Sequence, residues 1–223
     1  MIDGDQTLGD DLARFVRAVG PEHTPVQAEM AAFAAEQEFP NIGPDAGAVL
    51  RLLARLVDAE TVFEFGSGFG YSASWFLRGG AGRVILTEFD GDELERGREF
   101  LSDAGLTTRC VFEEGDAMEI VDRYGGPFDV VLIDHQKSRY ADAFEAVRAK
   151  LSPGGVIVAD NVTRGPADFD ATLAHLEDDA ALPADDPQTT GISTYLDTVR
   201  ADESFESLLL PVGSGLCVST KVE

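Results

Sequence analysis

The sequence predicts an α/β fold, a doubly wound and mostly parallel sheet, and three observations carry that prediction. From Thr61 onward, short β-rich runs alternate with amphipathic helical stretches, as strands do when helical crossovers join them and cover both faces of a parallel sheet. The first run passes into a glycine-rich turn that opens a helix, Gly66-Ser67-Gly68-Phe69-Gly70. A chain of 223 residues, 44% of them hydrophobic, suits one core better than two.

Taken in order, apolar spacing places helices over residues 8–19 and 25–38 and a third running to Val57, with Phe39-Pro40-Asn41-Ile42-Gly43-Pro44 before it. Residues 1–58 read as a helical cap able to roof a pocket, and 59–223 as the core of the same domain. Strand runs cover 61–65, 83–87, 108–113, 128–133 and 156–159, separated by helical stretches at 71–77, 93–104, 117–124, 140–151 and 169–176. Residues 178–191, rich in Asp, Pro, Ala and Thr, read as a surface loop. Two last strand-like runs, 206–212 and 216–222, are joined by Gly213-Ser214-Gly215 and form an antiparallel hairpin that completes a seven-stranded sheet.

Charge narrows the partners. Seventeen Lys and Arg stand against 41 Asp and Glu, a net charge of −24. Such a surface repels nucleic acid and anionic membranes and leaves a small molecule as the expected ligand. The acids are spread through every segment, and Lys137, Lys150 and Lys221 are the only lysines, a pattern expected of a protein adapted to a salty cytoplasm. No apolar run approaches the ~18 residues that span a bilayer, and the stretch to Asp11 is acidic, so a cytoplasmic location is expected. Cys110 and Cys217 match no metal or redox spacing and read as small buried residues. The terminal hairpin offers a surface for a homodimer.

Ligands of doubly wound sheets collect at the carboxyl ends of the strands. At the first, Glu64-Phe65-Gly66-Ser67-Gly68-Phe69-Gly70-Tyr71-Ser72 gives backbone that a ligand can approach closely and a helix start with free N–H groups. A tight strand-to-helix connection needs glycine equally. The G-x-G-x-G spacing departs from the G-x-G-x-x-G of dinucleotide sites. Glu88 ends the second run, where a carboxylate can accept both hydroxyls of a ribose. Asp116 either accepts from an adenine amino group or caps the helix that Ala117 begins. The fourth and fifth runs deliver Asp134, then Lys137, and Asp160-Asn161. Asp134, Asp160 and Asn161 are three hard oxygen donors on adjacent strand ends, suited to magnesium or calcium and poorly suited to zinc. His135 reads as a hydrogen-bonded wall residue, while His23 and His175 belong to no constellation.

These segments resemble the cation-dependent O-methyltransferase family that includes the catechol and caffeoyl-CoA O-methyltransferases. Residues 64–72 resemble its cofactor motif, Asp134-His135-Gln136-Lys137-Ser138-Arg139-Tyr140 its D-H-x-K-x-x-Y segment, and Asp160-Asn161-Val162 its D-N-V segment. The resemblance implies a Rossmann-like class I methyltransferase fold and S-adenosylmethionine as methyl donor. It implies cofactor contacts from Glu64, Gly66, Gly68, Tyr71 and Ser72 and a ribose contact from Glu88, with Asp116, Ala117 and Asp134 as further candidates to line the cofactor site. It further implies Mg2+, or another hard divalent cation, on Asp134, Asp160 and Asn161, with Lys137 as general base toward a hydroxylated acceptor. Gln136 stands where the catechol enzyme has a tryptophan packed on adenine, so the adenine pocket is expected to close differently. Asp197 corresponds to a family acid or amide that contacts substrate. An NAD-linked oxidoreductase is the rival enzyme class; it draws on the glycine turn and Glu88 but leaves Asp134, Asp160 and Asn161 unexplained. A metal-independent methyltransferase of the same fold is a second rival, and a non-catalytic cofactor-binding module a third.

Overall fold

A computed structural model describes residues 9–222. Three helices lead the chain: α1 (Asp10–Val19), α2 (Pro25–Glu36) and α3 (Gly43–Leu56). The α2 start carries a capping box, in which Thr24 and Gln27 satisfy each other's backbone N–H groups. Leu8, where the first helix was expected to begin, lies outside the described residues.

The core follows as β1 (Thr61–Phe65), α4 (Tyr71–Gly79), β2 (Arg83–Glu88), α5 (Gly91–Asp103), β3 (Cys110–Glu114), α6 (Ala117–Ile120), β4 (Phe128–Ile133), α7 (Tyr140–Arg148) and β5 (Leu151–Ala159). Then come α8 (Phe169–Asp178), α9 (Pro187–Ala201), β6 (Phe205–Leu210) and β7 (Leu216–Lys221). The seven strands lie in the order β3-β2-β1-β4-β5-β7-β6, the first five parallel and the terminal hairpin antiparallel. The doubly wound sheet and its appended hairpin are as the sequence predicts.

Strand side chains alternate between two cores. Val62, Val84, Leu86, Val130 and Leu132 pack under α2 to α5, while Phe63, Phe65, Ile85, Val131 and Ile133 pack under α6, α7 and α9. Burial on both faces is why these strands read as continuous apolar runs. No helix among the described residues is long and apolar enough to cross a membrane.

Two expectations need correction. The fifth strand begins at Leu151, ahead of Pro153-Gly154-Gly155, because Leu151 pairs with Phe128 and an irregularity between Phe128 and Val130 absorbs the turn-like residues. The segment 178–191 is a loop only in its first part. Asp186 caps α9 by accepting from the N–H groups of Gln188 and Thr189, and Pro187 occupies the first turn, a start signal hidden among weak helix formers. Thr189 and Ser193 on that helix are buried.

Candidate active site

Between β1 and β4 the strand order reverses, and the cleft at their carboxyl ends encloses about 700 Å³. Gly66 has φ +79°, and a Cβ there would lie 2.6 Å from the Asp134 carbonyl oxygen, so the turn after β1 sits directly on the end of β4. The turn is also tied to β2. Ser67 N–H donates to the Thr87 carbonyl at 3.0 Å, and Gly68 N–H donates to Oε2 of Glu88 at 2.9 Å. The other Glu88 oxygen accepts from the N–H groups of Phe89 (2.9 Å) and Asp90 (3.3 Å), which fixes a buried carboxylate at the rim of the cleft.

Tyr71 and Ser72, the first residues of α4, line the cleft. The Tyr71 hydroxyl lies 2.8 Å from Nε2 of His23, a partnership between cap and core that the sequence did not disclose. Glu64 stands behind the wall of the cleft, beside Ser72 and Asp134. It does not line the cleft; strand alternation turns it with Val62 into the core beneath α4, fully buried, with neither carboxylate oxygen hydrogen-bonded. Burial pushes its carboxyl up to about 8, the nearby Ser72 hydroxyl opposing and the Asp134 charge adding to the shift.

Asp116 caps α6 by accepting from Met118 N–H at 2.9 Å, and its second oxygen pairs with Arg139 at 2.8 Å, which holds its carboxyl below the usual range. Helix cap is therefore one role the geometry gives it, and it lines the cleft beside Ala117 as well.

Asp134, Lys137, Asp160 and Asn161 follow the ends of β4 and β5. Lys137 stands in a single 3-10 turn before α7, its side chain 9% exposed, and its Nζ donates to Asp134 Oδ1 at 2.9 Å and to the Tyr140 hydroxyl at 2.7 Å. The other two lysines are bound to backbone carbonyls far from the cleft, Lys150 to Val121 and Lys221 to Arg148 and Leu151. Asp160 is 2% exposed, and its Oδ1 accepts from Asn161 N–H at 2.7 Å. Asn161 adopts φ +59°, a left-handed conformation that asparagine tolerates better than most residues. Burial raises both carboxyls. Asp160 reaches about 8, with the Asp134 charge adding to the shift and Asn161 N–H and Lys137 opposing it; Asp134 is opposed chiefly by Lys137.

Asp134, Asp160 and Asn161 line the same cleft, two carboxylates and an amide with one lysine to balance them. Among the described residues no three His, Cys, Asp or Glu side chains gather around one point, so the donor set depends on the amide. A buried Asp160 and a half-buried Asp134, both held toward their protonated forms chiefly by desolvation, are a site that further positive charge relieves, and their oxygens suit a hard divalent cation.

His135 departs from expectation in one respect: it is a half-buried wall residue, stacked on Tyr140 at 5.7 Å, but neither of its buried ring nitrogens is hydrogen-bonded. Burial first, then the Lys137 and Arg139 charges, push it down to about 4, so it is neutral at pH 7. Asp197 lies outside the cleft on α9, 2.8 Å from His175 Nε2, and Gln188 from the first turn of that helix lines the cleft instead. Phe89, 72% exposed beside Glu88, was also missed by sequence reasoning. Its signal was an aromatic ring directly after the strand-end acid.

A sequence model of a family described as O-methyltransferase matches residues 20–222. Over 130 residues the chain is 35% identical to a catechol O-methyltransferase of Niastella koreensis, covering 56% of this chain and 59% of that enzyme, less than two thirds of the relative's length. It is 25% identical over 194 residues to caffeoyl-CoA O-methyltransferase 2 of Populus trichocarpa, covering 80% of this chain and 74% of that one. An O-methyltransferase of Bacillus cereus, solved in complex with SAH, superposes with a TM-score of 0.81 at 25% identity, covering 99% of this chain and 100% of the other.

Proposed function

The chain belongs to the O-methyltransferase family, and we propose that it takes a methyl group from S-adenosylmethionine and delivers it to a hydroxyl of a small catechol-like or vicinal-diol acceptor beside a divalent cation. The observation that carries the proposal is the placement of Lys137 against Asp134, with Asp160 and Asn161 lining the same cleft as the glycine turn.

On the cofactor side, Glu88 keeps lone pairs for ribose hydroxyls while three backbone N–H groups hold it still. The exposed Phe89 ring beside it offers a face for adenine, the part that Gln136 cannot play. The turn from Gly66 to Ser72 leaves room for the rest of the donor, whose sulfonium supplies a methyl group with a good leaving group already in place. Tyr71 shapes the wall of that space.

On the acceptor side, Asp134, Asp160 and Asn161 would hold the cation, which when bound supplies Lewis acidity toward a hydroxyl. Lys137 takes the hydroxyl proton, and the walls of the cleft fix the oxygen in line with the methyl group. A small uncharged or weakly charged acceptor is the partner that suits so acidic a surface, and the even spread of acid supports an enzyme that works in concentrated salt. Membership of the family removes the NAD-linked reading; the metal-independent one is separated by experiment.

That experiment follows radiolabel from S-adenosylmethionine into a panel of catechols, aliphatic vicinal diols and monophenols, with magnesium and molar potassium chloride present. Label in the vicinal pairs and little in the monophenols is expected. Equal labelling of monophenols in metal-free buffer would favour the metal-independent alternative.

A further inference from the structure

Tyr140 is fully buried at the start of α7, and its hydroxyl lies between two carriers of the proposed chemistry. It donates to the Asp160 carbonyl at 3.2 Å and accepts from Lys137 Nζ at 2.7 Å. A phenol has one proton, which the Asp160 carbonyl and the Asp134 carboxylate share as acceptors, so only a lone pair faces Lys137 and the lysine must be the donor. The ring cannot move to follow a wandering partner. It is stacked on His135 at 5.7 Å with an interplanar angle of 10°, and Tyr195 meets it edge-on at 5.8 Å. Lys137 is pressed from the backbone side as well, because a Cβ on Gly191 of α9 would lie 2.3 Å from the Lys137 carbonyl oxygen. In the neutral amine that can act as a base, Asp134 and Tyr140 take both N–H groups, which leaves the nitrogen lone pair for a ligand in the cleft that Lys137 lines.

We propose that Tyr140 is a positioning residue, whose hydroxyl holds Lys137 at one fixed point relative to Asp134 and Asp160 so that its remaining direction meets the acceptor. The inference rests on the reading of Lys137 as the proton acceptor, but its test does not depend on activity alone.

With three lysines in the chain, labelling lysine with 13C at the ε carbon gives a spectrum in which each is separately observed. In the parent, the two ε protons of Lys137 are expected to be inequivalent, as an immobilised methylene requires. In Tyr140→Phe, which keeps the ring and deletes one oxygen, they are expected to merge while the signals of Lys150 and Lys221 stay in place as a check on the fold. For methyl transfer, kcat should fall by ~10- to 100-fold with both KM values little changed, the effect of misplacing a reacting group. In a Lys137→Met background the same substitution should cost nothing further, whereas a merely structural role would add in full. An unchanged Lys137 methylene, or full additivity, overturns the proposal. If Tyr140→Phe fails to fold, the parent alone decides: a slowly exchanging Tyr140 hydroxyl proton with cross-relaxation to the Lys137 side chain supports the contact, and its absence overturns it. Failure of the parent to methylate any acceptor would instead sink the proposed function, with the spectra still reporting on Tyr140.

Discussion

Lys137 Nζ lies 2.9 Å from Oδ1 of Asp134, three residues earlier in the chain, and the pair lies at the end of a buried strand. An ion pair in open solvent contributes little to anything. Here the lysine is almost wholly buried and its partner carboxyl is raised by burial, so each depends on the other and on whatever binds beside them.

Replacing Lys137 by Met removes the proton acceptor and leaves Asp134, Asp160 and Asn161 in place. The methyl-transfer rate at neutral pH should fall by ~10²- to 10⁴-fold, the usual contribution of a positioned base. Raising the pH should recover part of the loss, since hydroxide can ionise the acceptor instead. Magnesium and cofactor binding, read by calorimetry, should survive. A variant as fast as the parent at neutral pH would remove Lys137 from the chemistry.

Glu88→Ala should weaken cofactor binding. Charge-assisted hydrogen bonds to two ribose hydroxyls would be lost, each contributing roughly 1.5–3 kcal/mol. Because Glu88 also accepts from Gly68, Phe89 and Asp90, Glu88→Gln is the sharper variant: it keeps an acceptor for one side of the turn and loses the charge. Unchanged affinity for S-adenosylhomocysteine in a calorimetric titration of both variants would exclude Glu88 from the site.

Glu64 gives a pH dependence of stability. Its carboxyl is raised to about 8 in the folded protein, from 4.5 in the open chain, so between those values the folded state keeps a proton that the unfolded state has released. Stability from this group is therefore full below about 4.5 and declines as the pH climbs toward about 8. Glu64→Gln cannot lose a proton, so its stability relative to the parent should improve steadily over that range. Denaturant melts at pH 5 and 8 that show the same difference between variant and parent would refute the assignment.

The acidic surface predicts a salt response. Repulsion among 41 carboxylates opposed by 17 basic groups should fall as the Debye length shrinks from ~30 Å at 0.01 M to ~3 Å at 1 M salt. The melting temperature should rise over that series of potassium chloride concentrations. A flat or falling curve argues against adaptation to salt.

The sheet was legible because its strands are buried on both faces and alternate with helices, a pattern that survives in one dimension. Asp134, Lys137, Asp160 and Asn161 were legible as one group because they follow apolar strands at the carboxyl end, where topology delivers them to one cleft. What the sequence concealed depends on orientation or on weak local signals. Glu64 belongs to the glycine-turn motif, but its complete burial is set by the pleat and by the helices packed on β1. Asp197 occupies the right helix yet turns outward to His175, and Gln188 enters the cleft because the Asp186 cap starts α9 earlier than its composition suggests. The His23–Tyr71 contact joins residues 48 positions apart, and nothing in either local sequence announces the other.

If Asp134, Asp160 and Asn161 hold a cation on which turnover depends, removing the metal should stop the reaction. Labelled methyl transfer to a catechol should be measured in excess chelator and again after magnesium is restored. The chelator should abolish transfer, magnesium should return it, and Asp160→Ala should stay inactive at the same magnesium concentration. Undiminished transfer in excess chelator, with no metal found in the protein, would contradict it.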